Sequence, residues 1–257
     1  MTPLERNRLL SALGTNGYHA ETPAEGDWIG VDSTFARGRC YVAAGERPDE
    51  YLAAISLPEV ANALAAEGYA TTASLAAPAG TAPTLFNVVG NDALHRLVRR
   101  IYQLSLALPT APLEAFAART RGMSATTEAE RLVRERIGQG IFRNALMEYW
   151  SGRCAATGIE QPELLRASHC KPWEDSNDAE RLDVHNGLLL AADVDAAFDS
   201  GLIAFEDDGR ASLSGRLQAS LHARFAALRL APARLLTDAH RGYLAWHRRH
   251  RFLCERA

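Results

Sequence analysis

The sequence predicts an α+β protein of two domains: a small N-terminal α+β domain and a C-terminal domain in which a strand–strand–helix unit lies among flanking helices. Three observations support this. The chain has 257 residues, 47% of them hydrophobic, which suits two modest cores. Short runs of strand composition alternate with helical patterns in the first part of the chain. Thr127 stands three residues before Glu130, a capping box that predicts the start of a long helix and of the second domain.

The predicted N-terminal domain covers residues 1–107. It opens with a short amphipathic helix that ends at a glycine, PLERNRLLSALG. Glycine, proline and aspartate then separate three runs of strand composition, WIGVDST, RCYVAAG and YLAAISL. A helix, PEVANALAAEG, and a further strand, TLFNVVG, follow. The last element is the helix NDALHRLVRRIYQLSLAL, capped by Asn91 or Asp92. We find no catalytic motif in this domain.

A connector is predicted over residues 108–126, because this stretch is rich in proline, alanine and threonine. The C-terminal domain is predicted over residues 127–257. Its first helix carries apolar residues at helical spacing, which predicts that one face packs on a core. These residues are Leu132, Val133, Ile137, Ile141, Phe142, Leu146 and Trp150.

The charge of the chain argues against a protein coated in positive charge. The net charge is −3 and the pI is about 6.2. Local basic clusters occur at residues 95–100, 131–136 and 247–252 and would suffice for a nucleic-acid substrate. Each cluster also fits the solvated face of a helix, and for any single cluster we favour that interpretation.

Targeting signals and cysteines limit the environment of the protein. No apolar run approaches the ~20 residues of a membrane span, and the start of the chain has no apolar signal-peptide core. The four cysteines are scattered, without a CxxC pair, which supports neither a disulfide framework nor a cysteine-built zinc site. We therefore expect a cytoplasmic protein without a membrane partner.

The candidate site begins at His169, which ends the apolar run LLRASH just before CKPW. A lone histidine at the end of a strand is more often structural than catalytic, so the rest of the chain decides its role. A polar loop leads from it to Asn186, then to a short strand, GLLLA, and to a short helix, DVDAAFDSG, closed by Gly201. A hairpin turning at residues 208–209 follows.

Asp195 and Asp199 lie four residues apart on this short helix, so both carboxylates face the same way. Two such carboxylates repel each other, and a helix that turns both inward usually needs a cation there. Their hard oxygens suit Mg²⁺ or Mn²⁺ rather than a soft metal. The alternative is that Asp199 merely precedes a turn and that Asp195 is solvated.

The strand that ends at His169, the second strand after Asn186 and the helix with two aspartates, in this order, resemble the ββα-metal finger of the HNH endonucleases. The resemblance is to the branch found in restriction-type bacterial nucleases. The resemblance covers roughly residues 127–215. Four sequence segments strengthen it: FRNALMEYWSGRCAATGI, LLRASHCKPW, RLDVHNGLLL and DAAFDSGLIAFEDDG. The resemblance implies a ββα-metal fold for the C-terminal domain and a phosphodiester hydrolase that acts on double-stranded DNA.

The resemblance also implies a role for each matched residue. His169 matches the general base, and Asn186 matches the asparagine that braces the loop through its side-chain amide. Asp195 matches the final metal-ligand position and Asp199 a further ligand one turn later, so one divalent ion, Mg²⁺ or Mn²⁺, is expected. The residue before the base often helps to hold the metal; here it is Ser168, a poor ligand when neutral.

Further contacts are predicted with less support from the pattern. Lys171, just past the base, is a candidate phosphate contact or a solvated lysine, and Arg166 is a second candidate nucleic-acid contact. His185 is a third, although a structural role is favoured for it. Many relatives bind a structural zinc through paired cysteines, but Cys154 has only Thr157 where a partner would stand, so no structural zinc is expected.

The leading hypothesis is therefore a metal-dependent DNA endonuclease in restriction or another anti-phage role, with residues 1–107 assigned to DNA recognition or dimerisation. One alternative is a weakly active or inactive HNH-fold protein that binds DNA and regulates. Another is an antibacterial nuclease toxin, which the lack of a delivery segment disfavours. Because a duplex has two antiparallel strands and one such site cuts one bond, we expect the active form to be a homodimer.

Overall fold

The computed structural model describes residues 1–22, 26–81, 84–108, 110–123, 126–230 and 236–253. The chain divides into two compact units, Met1–Leu108 and Pro109–Ala257. Its mixture of helices and strands, with the candidate site in the C-terminal unit, confirms the predicted α+β class. None of the helices in the described part of the chain is both long and apolar enough to cross a membrane.

Unit 1 contains an antiparallel sheet of six strands, in the order β1-β2-β3-β4-β6-β5. The strands are β1 (Ala20–Thr22), β2 (Ile29–Asp32), β3 (Cys40–Ala44), β4 (Glu50–Ile55), β5 (Thr71–Thr72) and β6 (Leu85–Val89). The helices are α1 (Pro3–Thr15), α2 (Pro58–Ala66) and α3 (Asn91–Ala107). The helices pack on one face of the sheet, and the other face carries an apolar cluster around Trp28, Tyr41 and Leu52.

Sequence patterns predicted the long elements of unit 1 and missed the short ones. The strands β2, β3, β4 and β6 and the three helices are confirmed, whereas β1 and β5 were not predicted. The predicted cap of α3 is wrong. The N-cap residue is Gly90, at φ +91°, and no side chain caps the helix. A glycine takes this left-handed backbone conformation without steric cost, so no capping side chain is required there.

Unit 2 contains the predicted strand–strand–helix unit and more helix than expected. Its helices are α4 (Thr110–Arg119), α5 (Glu128–Tyr149), α6 (Asp178–Leu182), α7 (Ala192–Asp199), α8 (Ala219–Ala226) and α9 (Asp238–His250). Its strands are β7 (Leu165–His169), β8 (Gly187–Ala191), β9 (Ile203–Phe205) and β10 (Ala211–Leu213). β7 pairs with β8, and β9 with β10 in the predicted hairpin.

Two expectations about the start of unit 2 need correction. The predicted connector contains helix α4, which packs against α5 through a face that buries Phe116. Composition misled the prediction, because Pro112 lies in the first turn of the helix, where its missing N–H costs nothing. The apolar face of α5 is also shorter than predicted, since Leu132 and Val133 are 54% and 48% exposed. The capping box of Thr127 and Glu130 is confirmed.

A buried histidine joins α9 to the rest of unit 2. His240 is 1% exposed, and its ring lies 4.9 Å from that of His185 and 5.4 Å from that of Tyr149. Its Nε2 atom has no hydrogen-bond partner among the described residues. Burial lowers the pKa of His240 to about 3. The folded protein therefore keeps this ring neutral at a pH at which the unfolded chain protonates it.

We expect His240 to make unit 2 sensitive to mild acid. Its contribution to stability is complete above the unfolded pKa and is lost as the pH falls below that value. The free energy of unfolding should fall by about 2 kcal/mol between pH 7 and pH 5 through this residue. Urea unfolding of the wild type and of His240→Phe at both pH values measures the difference. The same loss in both proteins would contradict the prediction. His250→Phe, in the exposed last turn of α9, is the control.

Candidate functional site

The centre of unit 2 is the antiparallel hairpin of β7 and β8, followed directly by α7. The register pairs His169 with Gly187 at one end and Leu165 with Ala191 at the other. β8 is buried along its whole length, which anchors the unit in the core. β7 ends at His169, and Pro172, which has no N–H to donate to a ladder, follows shortly after it.

His169 is held at the end of β7 by a stacking partner and by one hydrogen bond. Its ring stacks on Phe142 of α5, with a centroid distance of 3.8 Å and an interplanar angle of 11°. Its Nε2–H donates to the backbone carbonyl of Arg181 at 2.9 Å. A carbonyl can only accept, so the neutral ring carries its proton on Nε2 and keeps a lone pair on Nδ1. Burial lowers the pKa of His169 below its ordinary value, which favours this neutral form.

Asn186 braces the segment between the two strands. The residue is fully buried, and its Oδ1 accepts from the backbone N–H of Lys171 at 2.8 Å. Its Nδ2 donates to the carbonyl of Lys171 at 3.1 Å and to that of Glu180 at 2.9 Å. One amide thereby joins both ends of the segment that leads from β7 into α6. The predicted polar loop contains this helix, which has a capping box of Asn177 and Glu180.

The two aspartates lie on α7, on the other face of β7. The Ser168 hydroxyl donates to the carboxylate of Asp195, which is half-buried, whereas Asp199 is exposed. Burial, together with the negative charge of Asp199, raises the pKa of Asp195, although Ser168 and the guanidinium of Arg166 act in the opposite direction. The negative charge of Asp199 therefore disfavours the ionised form of Asp195.

These donors fit a hard divalent ion better than a soft one. No cluster of three or more histidine, cysteine, aspartate or glutamate side chains suited to a metal occurs in the described residues. Mg²⁺ is commonly held by one or two carboxylates, with water and substrate phosphate in the remaining positions. Asp195 and Asp199 supply that number of carboxylates, and the Ser168 hydroxyl adds one neutral oxygen. A four-ligand site of the zinc type would need more protein donors than this face offers.

The three residues predicted to contact nucleic acid form hydrogen bonds within unit 2. The ammonium of Lys171 bonds both carboxylate oxygens of Glu180, at 2.7 and 2.8 Å. His185 donates from Nδ1 to Asp183 at 2.7 Å. Arg166 is exposed and donates to the carbonyls of Glu163 and Leu165. The geometry favours structural roles for Lys171 and His185 and leaves Arg166 beside Asp195, facing solvent.

Sequence reasoning missed three groups that shape the site. Phe142 was predicted only as a core residue. The role of the Arg181 carbonyl could not be predicted, because every residue has a backbone carbonyl. The third group is Asp183, which accepts from His185 and from the hydroxyl of Tyr243 in α9 at 3.2 Å. Burial acts to raise the pKa of Asp183, but these hydrogen bonds outweigh it and lower the pKa. The sequence signal that could have revealed Asp183 is its position in the same short turn as His185 and Asn186.

The sulfur of Cys154 accepts hydrogen bonds from backbone N–H groups at the hairpin. It accepts from the backbone N–H of Ala191 at 3.1 Å and from that of Thr157 at 3.3 Å. Cys40, Cys154 and Cys170 are free and buried, and Cys254 lies outside the described residues. The sulfur of Cys154 therefore has a structural function in the turn that precedes β7.

We expect Asn186→Ala to destabilise unit 2 by roughly 1–3 kcal/mol, because buried backbone groups of Lys171 and Glu180 lose their partner. Urea unfolding of the purified variant measures the change. Asn144→Ala, at an exposed position of α5, is the control and should leave stability close to that of the wild type. Equal midpoints for both variants would show that the amide bonds contribute nothing.

Comparison with known proteins agrees with the geometry of the hairpin and α7. Residues 154–206 match the family model described as HNH endonuclease. A comparison with curated proteins gives no match. The matched segment contains β7, β8, α7 and β9, and with them His169, Asn186 and both aspartates. The match of residues 154–206 therefore supports an HNH endonuclease family for this segment of the chain.

Proposed function

We propose that this chain is a metal-dependent endonuclease that hydrolyses phosphodiester bonds of double-stranded DNA, with His169 as the general base. The observation that carries the proposal is the hydrogen bond from His169 Nε2 to the Arg181 carbonyl. It fixes the tautomer in which Nδ1 is free to accept a proton. The HNH family match of this segment supports nuclease activity in general.

The proposed reaction assigns one proton transfer to His169. Water attacks the phosphorus, its proton passes to Nδ1, and the bond from phosphorus to the leaving 3′-oxygen breaks, after which that oxygen takes a proton from solvent. The imidazolium that forms keeps its Nε2–H bond to the carbonyl, which stabilises the new positive charge. Stacking on Phe142 keeps the ring in one orientation throughout. A neutral base is available at pH 7 because burial holds the pKa of His169 low.

Asp195 and Asp199 are the proposed metal-holding residues. A bound Mg²⁺ or Mn²⁺ would supply positive charge for the phosphate and for the leaving oxygen. Asp195 is oriented by the Ser168 hydroxyl, so this serine acts on the carboxylate as a donor. Arg166 adds a positive charge on the same face.

An inactive DNA-binding protein with an HNH fold is the main rival, because Ser168 stands where a charged ligand often occurs in relatives. Loss of catalysis would remove the need for an oriented, neutral histidine. The stacking and the carbonyl bond at His169 favour the active enzyme. A toxin remains the third alternative, and no contact described above favours it.

The biological setting proposed is restriction or another anti-phage role in the cytoplasm, with unit 1 (residues 1–108) recognising the target or pairing two chains. A double-strand break requires two cuts on antiparallel strands. Two copies related by a two-fold axis would present two such sites, which supports a homodimer as the active form.

We expect His169→Ala to lower the rate of plasmid cleavage roughly 10²- to 10⁴-fold, since the attacking water loses its base. Binding of a short duplex, measured by fluorescence anisotropy in EDTA, should stay close to the wild-type value. His222→Ala, at an exposed histidine of α8, is the matched control and should cleave normally. Wild-type cleavage by the His169 variant would refute the assignment of the base.

We expect the site to prefer Mg²⁺ or Mn²⁺ to Zn²⁺, because its donors are carboxylates. Electron paramagnetic resonance of added Mn²⁺ measures binding without reference to activity. Asp195→Asn should weaken Mn²⁺ binding by at least about tenfold, equivalent to roughly 1.4 kcal/mol. Asp193→Asn removes a carboxylate of the same helix that pairs with Arg224, and it should have no effect. Equal affinities in the two variants, or full activity with zinc alone, would contradict the prediction.

A further inference from the structure

A cavity of about 340 Å³ lies in unit 2 between α4, α5 and the segment that Asn186 braces. Three arginines line it: Arg131 and Arg134 on α5, and Arg181 on α6. The aromatic rings of Phe116 and Trp173 form part of its wall. Its volume lies in the range of sites that hold small ligands or ligand fragments.

Two of these arginines are held in place before any ligand arrives. The Arg134 guanidinium lies 4.9 Å from the ring centroid of Phe116, and that of Arg181 lies 4.9 Å from the ring centroid of Trp173. Each donates one hydrogen bond of 3.0 Å to a different carboxylate oxygen of Asp178. Arg181 also donates from Nε to the carbonyl of Trp173 at 2.9 Å. These contacts fix the planes of both guanidinium groups.

The same arginines keep donors for a further acceptor. Within the described part of the chain, Asp178 bonds Nη2 of Arg134 and Nη1 of Arg181 and no other nitrogen of these two arginines. Arg131 is exposed at the rim. The carboxylates of Asp178 and Glu135 offset two of the three positive charges, so the cavity keeps one net positive charge. Planar guanidinium groups with free N–H edges match the oxygens of a phosphate.

Arg181 connects this cavity with the candidate base. Its side chain lines the cavity, while its backbone carbonyl accepts from His169 Nε2. Trp173 also lies beside both, with its ring centroid 6.0 Å from that of His169. A group bound in the cavity would therefore contact Arg181 and Trp173, the two lining residues that also contact His169.

We propose that this arginine cavity binds a phosphodiester group of the DNA strand that flanks the scissile bond. The proposal rests on the endonuclease function proposed above and adds a second contact to it. The exposed Arg131 makes the outer contact and Arg134 the inner one. The positive stretch of residues 131–136 then has a binding role on the face of α5 that carries these two arginines.

The direct test compares Arg131→Gln and Arg134→Gln with Arg136→Gln, which removes an exposed charge of the same helix outside the cavity. Fluorescence anisotropy with a short duplex in EDTA gives the dissociation constant at several salt concentrations. Each cavity variant should weaken binding several-fold and reduce the slope of log Kd against log salt by about 0.9. Arg136→Gln should change neither. Equal effects of Arg131→Gln and Arg136→Gln would overturn the proposal, and Arg131→Gln tests it even if Arg134→Gln unfolds.

A second measurement locates the contact and identifies its source. The indole N–H signal of Trp173, assigned through Trp173→Phe, should shift when duplex DNA is added and not with inorganic phosphate at the same phosphate concentration. An equal shift with inorganic phosphate would show a site for free anions and overturn the assignment to DNA. No shift with either probe would also overturn it.

The two proposals fail in different ways. Weaker binding by Arg131→Gln, with no cleavage by the wild type under Mg²⁺ or Mn²⁺, would support the cavity and refute the nuclease. Normal cleavage by the wild type, with Arg131→Gln and Arg134→Gln both binding as Arg136→Gln does, would support the nuclease and refute the cavity.

Discussion

The geometry of the candidate site depends on the buried amide of Asn186. It bonds the backbone N–H and carbonyl of Lys171 on one side and the carbonyl of Glu180 on the other. The next residue after Glu180 is Arg181, whose carbonyl holds His169. The position of the imidazole is therefore set by a chain of hydrogen bonds that begins at one fully buried side chain. In a low-dielectric interior such bonds are stronger and costlier to break than in water.

Close packing around His169 is the second constraint on the site, and it favours the neutral form of the imidazole. Gly187 pairs with His169 across the hairpin, and a Cβ added there would lie 2.4 Å from Phe142 and 2.8 Å from Leu146. Because this position has no side chain, α5 can approach the hairpin closely enough for Phe142 to stack on the imidazole. The same close approach buries the ring, which lowers its pKa and keeps it neutral. A steric property of one glycine thus contributes to the protonation state of its neighbour.

The sequence was sufficient to predict the hairpin of β7 and β8, helix α7 and the placement of two aspartates on one face of that helix, because these features depend on local signals. Strand composition, a proline after β7 and the spacing of Asp195 and Asp199 act over a few residues. The contacts of His169 with Phe142 and with the Arg181 carbonyl are tertiary, and a carbonyl is the same in every residue type. Helix α4 was missed because alanine, proline and threonine occur in connectors and also in a helix whose proline lies in its first turn. The exposed N-terminal part of α5 shows that helical spacing predicts an apolar face but not its length.

The alternation of side chains along β7 explains how one short strand can serve two chemical tasks. Ser168 points to α7 and bonds Asp195, while His169 points to α5 and stacks on Phe142. Successive residues of a strand face opposite sides, so the carboxylates and the groups that orient the histidine lie in separate layers. The two carboxylates lie on α7, whereas the arginines of the cavity lie on α5 and α6. Negative groups that favour a cation and positive groups that favour a phosphate are thus carried by different helices of one unit, and neither set forms ion pairs with the other among the described residues.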